Sequence, residues 1–297
     1  MIADRLDLAI KRIASEIDTL FDALLTPPQD NRRPLYEAMR HAALGGGKRL
    51  RPLLACASAE LFAVDRDRAL RAGLAVESIH VYSLIHDDLP AMDDDDMRRG
   101  RPTVHKAFDE ATAILAGDAF QALAFEVLAS DATSEDPFVR SELIAALARA
   151  SGASGMVGGQ ALDMAAETSK FDLSSIIQLQ QLKTGALIAF SVEAGAILGR
   201  ASPASRKALH SYAHELGLAF QIADDLLDVE GDAAALGKAV GKDAAAGKAT
   251  FVSLLGTDRA RAQARSLVDQ AVDRLAPFGE EADLLRDIAF YVVNRDR

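Results

Sequence analysis

Nine aspartates crowded into two short stretches limit what this chain can become. Six lie between Asp87 and Asp96 in HDDLPAMDDDDMRRG, and Asp224, Asp225 and Asp228 lie in FQIADDLLD. Carboxylates this close repel one another, and burying several without compensation is prohibitive. Either they are solvated surface or they converge on a cation. A hard ion such as Mg²⁺ takes oxygen ligands, keeps several waters and binds one or two carboxylates together with substrate phosphates. Two acidic patches facing each other across a helical bundle therefore predict a metal–diphosphate clamp. A loose Ca²⁺ site competes with this reading, but the D-x-D-x-D-G spacing of an EF-hand is missing.

The surrounding sequence is helical. Ala and Leu are abundant and Trp is absent, and apolar residues recur at three- and four-residue spacing over 2–25, 53–61, 69–85, 111–128, 174–198 and 203–227. Turn signals fall between these segments, at 27–28, 45–47, Pro90, 100–102, 152–159 and Pro203. No fixed-period repeat and no low-complexity linker divides the chain. This predicts one all-α domain over residues 1–297, a single large helical bundle. Pro90 disfavours α conformation just before it, so the helix carrying Ile79 and Ile85 ends near Leu89. Asp87 and Asp88 then occupy its last turn, with Asp93 just beyond. Asp224 and Asp228, four apart, share one helix face.

Charge excludes some partners. With 33 Lys and Arg against 44 Asp and Glu the net charge is −11, which argues against nucleic acid or an anionic membrane as partner. The most apolar stretch, 185–199, is broken by Glu193, so no stable membrane insertion is expected. Cys56 is the one cysteine and cannot form an internal disulfide, which suits a reducing, cytoplasmic setting.

Basic residues stand where an anion would need them. GGGKRLRP sets Lys48, Arg49 and Arg51 after a glycine turn at a helix start, an anion-binding arrangement that lacks the Walker A spacing. Arg98 and Arg99 follow the first acidic run, Lys183-Thr184 follows an apolar segment, and Lys238, Lys242 and Lys248 follow the second cluster. Each alone reads equally well as surface.

HVYSLIHDDLPAMDDDDMRRGRPT, with GGGKRLRP before it and GMVGGQALDM, LKTGALI, FQIADDLLD and LGKAVGKDAAAGKAT after it, resembles the short-chain trans-isoprenyl diphosphate synthases, the bacterial farnesyl-forming branch above all. The resemblance runs nearly the whole chain, to the tail YVVNRDR. It implies a helical bundle around a deep central cavity, a homodimer, and Mg²⁺-dependent condensation of isopentenyl diphosphate with dimethylallyl or geranyl diphosphate, releasing pyrophosphate. It implies about three Mg²⁺ per site, with Mn²⁺ as a substitute. Asp87, Asp93 and Asp224 would be direct ligands, and Asp88, Asp225 and Asp228 would act partly through water. Arg98, Lys183, Lys238 and Lys248 match contacts to the allylic diphosphate, and Lys48, Arg51, His80 and Arg99 match the isopentenyl diphosphate pocket. His80, Ser83 and Asp87 lie on one helical stripe, which supports His80. Thr184 and Gln221 match positions whose oxygens face the carbocation, and released pyrophosphate takes the proton, with His86 supporting the fold.

Tyr82, five residues before Asp87 and so ~7.5 Å down a helix, matches an aromatic floor that limits product length, with Ser83 beside it. The resemblance thus implies farnesyl diphosphate. Geranyl or geranylgeranyl diphosphate synthesis would differ only at that floor. A class I terpene cyclase would replace the second acidic motif and dispense with the Lys48, Arg51 and His80 pocket. A non-catalytic binding subunit would have eroded aspartates. The tail ends on Arg297 where the family carries lysine.

Overall fold

Helices form where the apolar periodicity places them. The computed structural model describes residues 2–166, 168–169, 171–230 and 250–294. In order come α1 (Ile2–Leu24), α2 (Arg33–Ala43), α3 (Leu50–Glu60), α4 (Arg66–Asp87), a hairpin of β1 (Met97–Arg98) and β2 (Arg101–Pro102), α5 (Val104–Ala107), α6 (Glu110–Ala129), α7 (Pro137–Ser151), α8 (Met156–Ala166) and α9 (Leu173–Gln180). A π-turn (Gln181–Gly185) leads into α10 (Ala186–Leu198) and α11 (Pro203–Glu230). Then follow α12 (Phe251–Leu255), α13 (Thr257–Arg274), a 3₁₀ segment (Ala276–Ala282) and α14 (Asp283–Asn294). This is the all-α class expected. Among the described residues the hairpin is the only sheet. It pairs Met97 with Pro102 and Arg98 with Arg101. Its turn residues Arg99 and Gly100 have φ of +52° and +75°, and glycine meets that demand without strain.

Position in the bundle follows from which faces are apolar. α4 buries Leu74, Val76, Ile79, Val81 and Ile85 and packs against α3, α6 and α10. α10 buries Leu187, Ile188, Phe190, Val192 and Ile197 and packs against α3, α7, α4 and α11. Each fully buried Leu, Ile or Phe stabilises the fold by roughly 1.5–3 kcal/mol, so helices buried on most faces take the middle. Asp65 caps α4 by accepting from the N–H groups of Asp67 and Arg68, and Asp109 caps α6 by accepting from Thr112 at 2.8 Å. Each cap contributes about 1 kcal/mol. The Tyr212 hydroxyl donates to the Leu285 carbonyl at 2.7 Å and ties α11 to α14.

Pro90 ends α4 as expected. The last helical residue is Asp87, and the Asp88 N–H closes the end on the carbonyls of Leu84 and His86. The glycine-rich 152–159 stretch differs. Gly152 closes α7, yet α8 begins at Met156 and contains Gly158 and Gly159. A Cβ on Gly159 would sit 2.1 Å from the Lys183 backbone nitrogen, so that glycine serves close approach of α8 to the π-turn. Segment 174–198 is likewise two helices joined by the π-turn. α6 is the one described helix long and apolar enough, by length and composition, to cross a bilayer, but it packs one face on α4 and α2.

Candidate active site

A cavity of about 570 Å³ opens where α4, α8, the π-turn and α11 meet, a size suited to a small organic ligand. Nine residues singled out in the sequence line it: Arg51, His80, Tyr82, Ser83, His86, Asp87, Lys183, Thr184 and Asp224. The stripe of His80, Ser83 and Asp87 therefore does face one space. It is built by the last two turns of α4, stopped by Pro90.

Asp87 is the most perturbed acid in this cavity. Burial pushes its carboxyl up to about 6, with Asp93 and Asp88 raising it further while Lys183 and Arg98 hold it down. The carbonyl end of α4 carries partial negative charge, which disfavours a carboxylate there. The Asp93 N–H donates to the Asp87 carbonyl at 2.8 Å and folds the acidic loop back over the helix end. Acids that cannot comfortably ionise together, beside Asp224 on α11, form an oxygen-rich donor set suited to a hard divalent cation. The residues present fit the magnesium that the resemblance implies.

The π-turn carries Lys183 and Thr184. Lys183 Nζ donates to Asp163 Oδ2 on α8 at 2.7 Å, a partner that went unassigned although it lies within GGQALD. The Thr184 hydroxyl donates to Gln221 Oε1 at 3.1 Å, and Gln221 Nε2 donates to Asp225 Oδ1 at 3.3 Å. The Thr184 proton is thereby spent on Gln221, which frees oxygen lone pairs for the cavity.

The opposite character gathers around Arg51 and His80. Burial, with Arg51, Arg99, Arg98 and Arg49 around it, holds the His80 pKa well below the ordinary histidine value, so its imidazole is neutral. Burial also lowers Arg51, with Glu77 and Asp224 opposing, and Arg51 Nε is buried without a hydrogen-bond partner. A buried guanidinium N–H left unbonded is a ready donor to an anion.

Several expected residues have other partners. Asp88, expected to act on the metal, is 3% exposed and bound bidentately by Arg98, at 2.9 Å from Nε and 2.6 Å from NH2. Both line a small recess beside the cavity, together with Arg99, whose guanidinium donates to the Gly46 carbonyl. Asp225 accepts from the Phe251 N–H at 2.9 Å and anchors the start of α12. Asp228 is half-buried one turn beyond Asp224 and outside the lining. Lys48 stands over the Tyr291 ring of α14, 5.2 Å from its centroid. Arg49, grouped in the sequence with Lys48 and Arg51, is instead buried against Glu77 at 2.9 Å and Asp18 at 2.7 Å. Its charge is spent inside the fold. Lys238, Lys242, Lys248 and Arg297 lie outside the described residues.

The lower cavity is apolar. Tyr82 is 5% exposed, its ring edge-on to His86 at 5.7 Å, and its hydroxyl is buried without a hydrogen bond of ordinary geometry. His86 Nε2 donates to the Ile114 carbonyl at 3.1 Å, so His86 both lines the cavity and fastens α4 to α6. Met156, Val157, Ala161 and Met164 of α8, with Phe220 of α11, form a wall to which the sequence reading gave no role.

The pattern of the polyprenyl synthetase family matches residues 32–285. The farnesyl diphosphate synthase of Escherichia coli (strain K12) is 46% identical over 280 residues, covering 92% of this chain and 93% of the relative. That of Haemophilus influenzae is 40% identical over 292 residues, covering 96% and 97%. Among solved structures, an FPP/GFPP synthase from Zymomonas mobilis superposes with a TM-score of 0.91 at 58% identity, over 99% of this chain and 100% of that one.

Proposed function

The chain belongs to the polyprenyl synthetase family, and on that premise we propose that it is a Mg²⁺-dependent trans-prenyltransferase making farnesyl diphosphate from isopentenyl diphosphate and dimethylallyl or geranyl diphosphate. The observation that carries this reading is one cavity lined by the half-buried acids Asp87 and Asp224, by a guanidinium with an unpaired buried N–H and by an apolar wall.

Asp87 and Asp224, with Asp93 in the loop above, would hold the ions. Bound there, magnesium supplies Lewis-acid neutralisation of the departing diphosphate. Lys183 leaves Asp163 or shares it to reach the diphosphate oxygens and opposes the charge that builds as the allylic C–O bond breaks. Arg51 donates to the second diphosphate, and the neutral His80 donates its one N–H beside it. These two hold isopentenyl diphosphate so that its double bond meets the allylic carbon. Thr184 turns oxygen lone pairs towards the carbocation, with Gln221 accepting its hydroxyl proton from behind. A proton then leaves the new chain, and the released pyrophosphate is its acceptor. The apolar wall keeps water from capturing the cation. Tyr82 closes the floor and sets a C15 product.

From the resemblance we also place the chain in the cytoplasm as a homodimer. Ile114 and Leu115, 45% and 56% exposed on α6, offer apolar surface to a second copy.

The test is turnover of labelled isopentenyl diphosphate with dimethylallyl and with geranyl diphosphate in Mg²⁺, with products sized by mass. Farnesyl diphosphate from both primers supports the assignment. No Mg²⁺-dependent condensation by the pure protein would end it, and a C10 or C20 product would transfer it to a sister activity.

A further inference from the structure

A second group of ligands stands outside the cavity, in the loop that follows Asp93 and in α5. A ring nitrogen of His105 and one carboxylate oxygen each from Asp94 and Asp96 lie within 4.8 Å of one another. Two exposed acids alone would mean little. His105 is different, because it is only 7% exposed and its Nε2 is buried with no hydrogen-bond partner.

Its Nδ1 stands 3.2 Å from the Thr103 hydroxyl oxygen, which also reaches the Asp96 carbonyl at 3.3 Å. In the tautomer with the proton on Nδ1, that N–H donates to the Thr103 oxygen and Nε2 carries a bare lone pair. A metal-ligating histidine characteristically donates its other N–H to an oxygen in this way, which fixes the ring and raises the basicity of the ligating nitrogen. The Thr103 N–H also donates to the Asp96 carbonyl, at 3.0 Å, so the backbone holds this corner as well.

We propose that Asp94, Asp96 and His105 Nε2 bind a first-row transition-metal ion such as Zn²⁺, at a site separate from the substrate cavity. One imidazole with two carboxylates suits Zn²⁺, Co²⁺ or Mn²⁺ better than Mg²⁺, which prefers oxygen alone. Bonds of about 2.0–2.2 Å place neighbouring ligand atoms roughly 3.4 Å apart, so the two exposed carboxylates need close by only about an ångström. Lys106 Nζ holds Asp96 Oδ1 at 2.8 Å, which leaves Oδ2 for the ion. Water completes the shell on the exposed side. The ion ties the loop beyond Asp93 to the start of α5. The inference stands whether or not the chain transfers prenyl groups.

The test is calorimetric titration of chelator-stripped protein with Zn²⁺ in excess Mg²⁺, which occupies the cavity acids. The expected result is one Zn²⁺ per chain for the wild type. His105→Gln, and separately the Asp94→Asn, Asp96→Asn double variant, should each weaken that binding about tenfold or more, and Zn²⁺ should raise the melting temperature of the wild type but of neither variant. Absence of Zn²⁺ binding by the wild type, or equal binding by the double variant, overturns the proposal. Should His105→Gln fail to fold, the double variant decides alone, because both of its positions are exposed.

Discussion

Asp87→Asn should make the metal-free protein more stable while removing its activity. In the folded chain this carboxyl is pushed up to about 6 from an ordinary 3.8, mainly by burial. Between those values the native state holds a proton that the unfolded chain has released, so stability falls as pH rises through the window. The cost is roughly 3 kcal/mol at pH 8, about 1.5 kcal/mol at pH 5 and almost nothing below pH 4. Asparagine has the same shape and no charge, so it recovers that cost. For 297 residues, a gain of about 3 kcal/mol corresponds to a melting temperature about 5 °C higher. Melting curves in chelator at pH 8 and pH 5 check this, with the larger gain at pH 8. Mg²⁺ should reverse the order by stabilising the wild type alone. A variant no more stable than wild type at pH 8, or a gain that does not shrink at pH 5, would refute the claim that Asp87 is a buried acid waiting for a cation.

Lys183→Ala should lower kcat/KM for the allylic substrate about 100-fold or more, because it removes a positive charge that opposes the building negative one. Rate profiles against each substrate check that the loss falls on the allylic side. Tyr82→Ala should lengthen the product beyond C15 at a cost of about 3 kcal/mol in stability, whereas Tyr82→Phe should be nearly neutral because the buried hydroxyl has only a poorly aligned contact with Gln121 to lose. Product mass and thermal melts read both. Arg49→Ala should destabilise by about 3–5 kcal/mol, since it strands the buried Glu77 carboxylate, and the folded fraction should keep its KM for isopentenyl diphosphate.

Which parts were legible from sequence has a physical pattern. The long helices α1, α4, α6 and α11 carry enough apolar repeats to announce themselves, and Pro90 marks the end of α4 because its constraint is local. α8 was hidden because glycines read as turn, while here they permit contact with another helix. The cavity stripe of His80, Ser83 and Asp87 was legible because helical spacing alone aligns it. Where Asp88 and Asp225 point was not, since their partners are the Arg98 side chain and the Phe251 backbone, reached only through tertiary folding. Arg49 misled for the same reason. Three adjacent basic residues look alike in a string, but a residue at φ +49° just ahead of α3 aims its side chain inward to Glu77.

The π-turn at Gln181–Gly185 has a consequence for insertions and deletions. A π-turn holds one residue more than the α-helix it interrupts. Loss of any single residue from this stretch could be absorbed as ordinary helix, with the rest of the bundle intact. That repair would rotate Lys183 and Thr184 about 100° around the axis relative to one flank, off the cavity wall. The chain should therefore tolerate a one-residue deletion here as a fold and fail it as a catalyst.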